Sequence, residues 1–187
     1  MTIKNNKILH MKKHIQYITV AIIALIFTGC TESDDEFFAT KSVTSNELIE
    51  VSVAANVLNI SASFDRLLDQ NTTSPLDLFL TTTSRKFFFN FSIQKRNGAG
   101  NWEFFIPENV NANLGENLFG SYISGVQHLD ALDTTYEYDT DITLDPGQYR
   151  IQIDPKIISA NSQDGVTIII NTTTIGAPGN TLEFTVN

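Results

Sequence analysis

The chain predicts an all-β protein: a single antiparallel β-sandwich of immunoglobulin-like or jelly-roll type. Three observations carry this. Beyond residue 45, short runs rich in Val, Ile, Thr, Phe and Tyr are punctuated by Gly and Pro, the mark of strands joined by tight turns. Several runs alternate apolar and polar residues, which sends one face to a core and the other to solvent. Roughly seven to nine such strands fit into about 140 residues, the scale of a sandwich. The 13 phenylalanines supply packing volume, and the single cysteine, Cys30, leaves no disulfide scaffold.

The chain opens with a different kind of segment. Tyr17 to Phe27 is an apolar run of 11 residues. That is too short for a bilayer core of about 30 Å, which needs roughly 20 apolar residues. Lys12 and Lys13 precede the run, and Thr28-Gly29 lead into Cys30. Basic residues, a short apolar core and small residues in that order make a signal peptide. Phe27-Thr28-Gly29-Cys30 resembles the box of a bacterial lipoprotein signal, with Phe27 where Leu usually stands. The resemblance implies cleavage before Cys30, which then carries lipid. Met11-Lys12-Lys13 is a more ordinary start for such a signal than Met1. Residues 1–29 are therefore expected to be the signal peptide, 30–45 the lipidated cysteine and an acidic linker, and 46–187 the β-sandwich.

Behind the cysteine stands Ser33-Asp34-Asp35-Glu36. This resembles the acidic run that Bacteroidota lipoproteins carry at that place. In that group it acts as an export signal to the outer face of the outer membrane. The resemblance implies a protein anchored to the membrane through its N-terminal lipid and facing the cell exterior.

Charge narrows the partners. The whole chain has 12 basic and 21 acidic residues. Lys4, Lys7, Lys12 and Lys13 all lie in the segment to be removed, which has no acids. The remainder keeps 8 basic and 21 acidic residues, a net charge of −13. Phosphate backbones need Lys and Arg partners, so nucleic acid is not expected. Nor is docking on anionic lipid through a basic patch.

The strands follow in chain order. Between Glu47 and Leu68 two patterns compete. Ile49, Val53, Val57, Ile60, Phe64 and Leu67 have helical spacing, and Thr44-Ser45-Asn46-Glu47 looks like a capping box. Ile49, Val51, Val53 and Leu58, Ile60, Ala62, Phe64 also alternate. The β-branched, Ser and Asn content favours two strands broken near Ala54-Ala55-Asn56. Leu76 to Thr82 predicts a further strand. Lys86 to Arg96 alternates Phe87, Phe89, Phe91 and Ile93 with Phe88, Asn90, Ser92 and Gln94. Asn97-Gly98-Ala99-Gly100-Asn101 then tolerates positive φ, and Trp102 to Ile106 returns, so a hairpin is expected. Tyr136 to Leu144 and Gln148 to Asp154 predict a second hairpin around Asp145-Pro146-Gly147. Val166 to Thr173 and Thr181 to Val186 predict a third pair. Glu108 to Thr135 is too long for a bare hairpin loop, and long loops on a rigid scaffold commonly carry function.

The available chemistry is limited. His128 is the only histidine after residue 29, and no free thiol remains, which excludes most zinc sites. Ser121, Ser124 and Asp130 lie near His128, but no Gly-x-Ser-x-Gly elbow accompanies them. A small hydrolase would instead need two carboxylates across a cleft. Asp139, Asp141 and Asp145, with Asp130 and Asp133 before them, could offer oxygen ligands to calcium. They could equally be solubilising acids, and no other cofactor is expected.

Sugar sites combine exposed aromatic rings with amides and carboxylates. Trp102 with Asn97 and Asn101, and Tyr122, Tyr136 and Tyr138, are the candidates for a glycan or protein ligand. A Trp at a strand start is often core instead, and truncation would separate the two. Asp133-Thr134-Thr135 resembles the tripeptide that Bacteroidota O-glycosylate, which points to Thr134. The expected function is a lipid-anchored, non-catalytic binding or accessory module at the cell surface. A structural subunit of an envelope or fimbria-like assembly is the alternative, and a small hydrolase the second.

Overall fold

A computed structural model describes residues 39–70, 74–108, 110–160 and 166–187. All of them belong to one unit, Phe37–Asn187. Cys30 and Ser33, Asp34, Asp35 and Glu36 lie outside the described residues.

Fifteen strands follow one another: β1 (Thr40–Thr44), β2 (Ile49–Ala54), β3 (Val57–Asp65), β4 (Leu67–Leu68), β5 (Leu76–Asp77), β6 (Lys86–Arg96), β7 (Trp102–Phe105), β8 (Glu116–Phe119), β9 (Ile123–His128), β10 (Thr135–Thr143), β11 (Gly147–Ile153), β12 (Lys156–Ser159), β13 (Thr167–Asn171), β14 (Thr174–Ile175) and β15 (Thr181–Val186). One helical turn, α1 (Leu78–Thr82), sits between β5 and β6. The all-β expectation holds. The purely antiparallel one does not: thirteen strands share one curled sheet in which β1–β13 and β2–β14 run parallel.

The longest strand organises the rest. Along one edge, β6 pairs first with β9, from Lys86↔His128 to Phe91↔Ile123, and then with β7, from Ile93↔Phe105 to Arg96↔Trp102. Along the other edge it pairs with β12 near Phe87 and with β11 from Phe91 to Lys95. Pro155 separates β11 from β12, since it has no N–H to continue a ladder. The sheet therefore forks at β6. One branch runs β1-β13-β12-β6-β9-β10-β3-β2-β14, and the other runs β15-β11-β6-β7.

The ends of the long branch are tied by two crossings side by side. The chain passes from β1 to β2, and from β13 to β14, between the same two edges. Ser45 N donates to Asn171 O at 3.0 Å, Glu47 N to Thr173 Oγ1 at 3.0 Å and Leu48 N to Thr172 Oγ1 at 3.1 Å.

Period-two alternation builds the core. Phe87, Phe89, Phe91 and Ile93 of β6 are buried with Leu58, Ile60 and Phe64 of β3, Tyr136 and Tyr138 of β10, and Tyr149 and Ile151 of β11. Tyr136 stacks on Phe64 at 5.2 Å and meets Phe87 edge-on at 4.8 Å. Gly125 of β9 faces inward too: a Cβ there would lie 2.7 Å from Tyr138 Cζ and 2.9 Å from Phe89 Cε1. Only hydrogen fits between those rings.

The two strands expected between Glu47 and Leu68 and the hairpin predicted over 86–106 are present. Ala54 faces Val57 across a two-residue turn in which Ala55 takes φ 54°. Arg96 faces Trp102 across the Asn97–Asn101 loop. Four other expectations are corrected. The linker contains β1, paired with β13. Asp145-Pro146-Gly147 turns the chain, but β10 pairs with β3 and β9, whereas β11 pairs with β6 and β15. β13 and β15 do not pair with each other, because each already lies in a different branch. Leu76 to Thr82 is a two-residue strand followed by α1: the Asp77 carboxylate accepts from Leu80 N and caps that turn.

Candidate functional site: an aromatic and amide-rich sheet face

The outward residues of the short branch form one surface. Residues directly opposite in an antiparallel ladder share a face. Gln94 is flanked by Phe104 on β7 and Arg150 on β11, Arg96 lies opposite Trp102, and Ser92 opposite Gln152. Since Phe91 and Ile93 point into the core, all of these point away from it.

Toward the middle of β6 this surface dips into a depression of about 300 Å³ lined by Asn90, Ser92, Phe104, Tyr122, Gln152 and Asp154. Phe104 is 59% exposed and Tyr122 50%. Tyr122 is delivered by the three-residue turn between β8 and β9, where Gly120 N donates to Tyr122 O at 3.0 Å. Asn90 Oδ1 accepts from Ser124 Oγ at 2.7 Å, which fixes the amide and leaves its NH₂ to donate. The side chains of Ser92, Gln152 and Asp154 have no hydrogen-bond partner among the described residues. Two aromatic walls and four polar groups of mixed donor and acceptor character suit a ring that is apolar on its faces and hydroxylated at its edge.

Trp102 lies on the same surface, half-buried and outside the core cluster. The Arg150 guanidinium carbon is 4.8 Å from its ring and that of Arg96 6.0 Å. Asn97 is occupied in shaping its own loop. Its Oδ1 accepts from Ala99 N at 3.0 Å and Asn101 N at 2.9 Å, and its Nδ2 donates to Glu103 Oε1 at 2.6 Å. Asn101 is exposed at the loop's end.

Tyr136 and Tyr138 are corrected from ligand contacts to core residues, 0% and 1% exposed. Their hydroxyls donate inward, to Ser84 O at 2.8 Å and Asn117 Oδ1 at 2.6 Å. Burial pushes the Tyr136 phenol up to about 12, with the Asp77 charge adding to it, and raises Tyr138 as well.

The carboxylates do not converge as a calcium triad. Asp139 and Asp141 share the outer face of β10, both accepting from Asn59 Nδ2 at 2.9 Å. Asn113 Nδ2 bridges their other oxygens at 2.7 and 3.0 Å. Asp145 lies beyond the strand end, in the turn before β11. Among the described residues no three His, Cys, Asp or Glu side chains are placed to share a metal ion.

The acidic segment is split between the ends of β6. Asp145 lies at the Trp102 end, where Gly147 approaches Lys95, whereas Asp130 follows Leu129, which pairs with Arg85 at the other end. Ten strand steps of about 3.3 Å place those ends roughly 30 Å apart. Thr134 is exposed in the turn before β10, and its carbonyl accepts from Arg66 N at 2.7 Å.

Two other depressions carry different chemistry. One of about 460 Å³ runs over the outer face of the long branch. Phe88, Val126, Leu118 and Ile158 form its floor, and the Lys86–Glu116 ion pair, 3.1 Å, closes one end. His128 Nε2 lies 3.7 Å from Glu116, while Ser124 Oγ donates to Asn90 rather than to His128. The other, about 430 Å³, lies against the Arg66–Asp77 pair and Thr134.

The contributions of Phe104, Asn90, Ser92, Gln152 and Asp154 escaped the sequence reading. A signal existed for Phe104: it stands two residues from Trp102 on one strand and so shares its face. Gln152 and Asp154 join Asn90 and Ser92 only through long-range pairing of β11 with β6. No family model matches the chain, and no match appears among curated proteins or solved structures.

Proposed function

We propose that this protein is a lipid-anchored, non-catalytic binding module on the outer face of the outer membrane, and that it holds glycan on the short-branch surface. The observation that supports it best is the depression in which exposed Phe104 and Tyr122 stand beside the unpartnered side chains of Ser92, Gln152 and Asp154. Among the described residues Asp154 is the one carboxylate that lines it, whereas glycoside hydrolysis uses two, which favours binding over turnover. The scaffold is read as a sandwich in which β6 belongs to both layers.

Titration calorimetry of the detergent-solubilised protein against a panel of oligosaccharides tests the site. Phe104→Ala and Tyr122→Ala should each weaken binding by up to roughly ten-fold while leaving the melting temperature close to the parent's, since a stacked ring is worth about 0.5–1.5 kcal/mol. Binding unaffected by both variants would remove this surface as the site.

The anchor rests on Cys30 and the apolar run before it. Cys30→Ala should abolish lipid labelling and release the protein from membranes. Replacing Ser33, Asp34, Asp35 and Glu36 with Ala should shield the domain from protease added to whole cells. A second reading, a structural subunit, draws on β15, which pairs only with β11 among the described strands and so presents an open edge. Concentration-dependent polymers that vanish when Pro replaces Thr185 would favour it.

A further inference from the structure

This surface is balanced in charge where the chain as a whole is acidic: Arg96 and Arg150 share it with Asp154 and Glu183. Outside the signal the chain has 8 cationic residues against 21 acids, and several of the cations are spent. Arg66 pairs with Asp77 at 2.7 Å and Lys86 with Glu116 at 3.1 Å. Arg96 and Arg150, both over the Trp102 ring, are held mainly by neutral acceptors. Arg96 donates from Nε to Gly100 O at 3.1 Å and from its terminal nitrogen to Gln148 Oε1 at 3.0 Å. Arg150 donates twice to Gln94 Oε1, at 2.8 and 2.5 Å. The carboxylate nearest to it, on exposed Glu183, is 3.8 Å away. Both guanidiniums are thus fixed in place without a short ion pair. Each has five N–H donors, of which these contacts use two, so each can still present a fork to an anion.

We propose that the surface takes an acidic oligosaccharide, extended along β6 with a carboxylate-bearing sugar at the Trp102 end; this rests on the glycan reading above. Asn90 and Arg96 are six strand steps apart, roughly 20 Å at about 3.3 Å per step, so the surface accommodates several linked sugars. The two ends differ in the groups they offer, guanidiniums being confined to the Trp102 end. At one, Asp154 repels a carboxylate but accepts from hydroxyls, beside Gln152, Asn90 and Tyr122. At the other, the guanidiniums of Arg96 and Arg150 lie over the half-buried Trp102 ring, so a sugar acid placed beside it can receive a charge-assisted pair of hydrogen bonds. Pre-ordering of both arginines by Gln94, Gln148 and Gly100 lowers the entropy lost on binding. The polarity sets one direction for the chain.

The test compares three probes on the full protein in detergent: tetragalacturonate, its methyl ester and mannotetraose. The expected order places tetragalacturonate first, with an affinity that falls as salt is raised. Arg96→Gln and Arg150→Gln should each weaken tetragalacturonate roughly ten-fold, the loss of one charge-assisted contact, and weaken mannotetraose clearly less. Arg96 lies at the exposed end of β6, so its variant keeps the test open should Arg150→Gln fail to fold. Equal affinity for acid and ester, or indifference to both substitutions, overturns the acidic preference and leaves the glycan reading standing. No binding of any probe, across a wider neutral and acidic panel, overturns both.

Discussion

Trp102 offers a sharp test of whether the short branch presents its aromatic face or buries it. The perturbation is Trp102→Ala. In the structure the ring sits at the start of β7, outside the core cluster, and its notable contacts are two guanidiniums at 4.8 and 6.0 Å. Cation–π contacts at exposed sites are worth about 0.5–1 kcal/mol each. The substitution should therefore cost about 1–2 kcal/mol, summed from those two contacts. A core aromatic behaves differently. Phe89 is 0% exposed and meets Phe91 and Tyr138, so Phe89→Ala should cost about 3–5 kcal/mol. Urea unfolding of both variants, followed by tryptophan-independent circular dichroism, measures the two on one scale. An m-value shared with the parent confirms that the compared states match. Should Trp102→Ala lose as much as Phe89→Ala, the ring is a packing element and the surface reading of β7 fails.

Further perturbations probe the core and its charges. Gly125→Ala forces a methyl between Tyr138 and Phe89 and should destabilise by about 1–3 kcal/mol, read as a lower urea midpoint; a neutral result would contradict the ring packing. Gln127 is fully buried on β9, and neither atom of its amide has a partner among the described residues. Gln127→Met should therefore stabilise by about 1 kcal/mol or more, and a loss would mean that the amide is satisfied in solution. Arg66 holds the Asp77 carboxyl below its usual range, chiefly by direct hydrogen bonding, with burial opposing and the Leu80 N–H assisting. A depressed carboxyl stabilises the fold above its unfolded pKa and loses that contribution as pH falls through the folded one. Asp77→Asn should thus lower stability at neutral pH and flatten the acid limb below about pH 4, which unfolding curves at several pH values would show.

Local reversals were legible in the sequence; distant pairings were not. Ala55-Asn56 and Asn97–Asn101 join strands that pair with each other, so composition and alternation were enough. Asp145-Pro146-Gly147 is equally clear as a turn, yet turn chemistry reverses the chain without choosing its neighbour. At that turn the chain leaves one branch for the other. β1 hid in a polar stretch because its stability comes from β13, more than a hundred residues away. The site divides the same way. Trp102 drew notice by its residue type, whereas Gln152 and Asp154 reach the depression through the β11–β6 register alone. Tyr136 and Tyr138 misled because a tyrosine's hydroxyl suits a ligand and a buried carbonyl equally well.

The parallel pairing of β1 with β13 has a mechanical consequence. Thr40 to Thr44 lie beside Thr167 to Asn171 in five matched positions, and the chain leading to them arrives at Ala39, whose carbonyl accepts from Thr167 N at 2.9 Å. A pull applied at Ala39 along the strand axis cannot peel that ladder one bond at a time. It loads the five positions together, in shear, and passes the force through β13 into the body of the sheet. Tension from the N-terminal side thus meets the fold where its resistance is shared, whereas a pull perpendicular to β1 would unzip it stepwise.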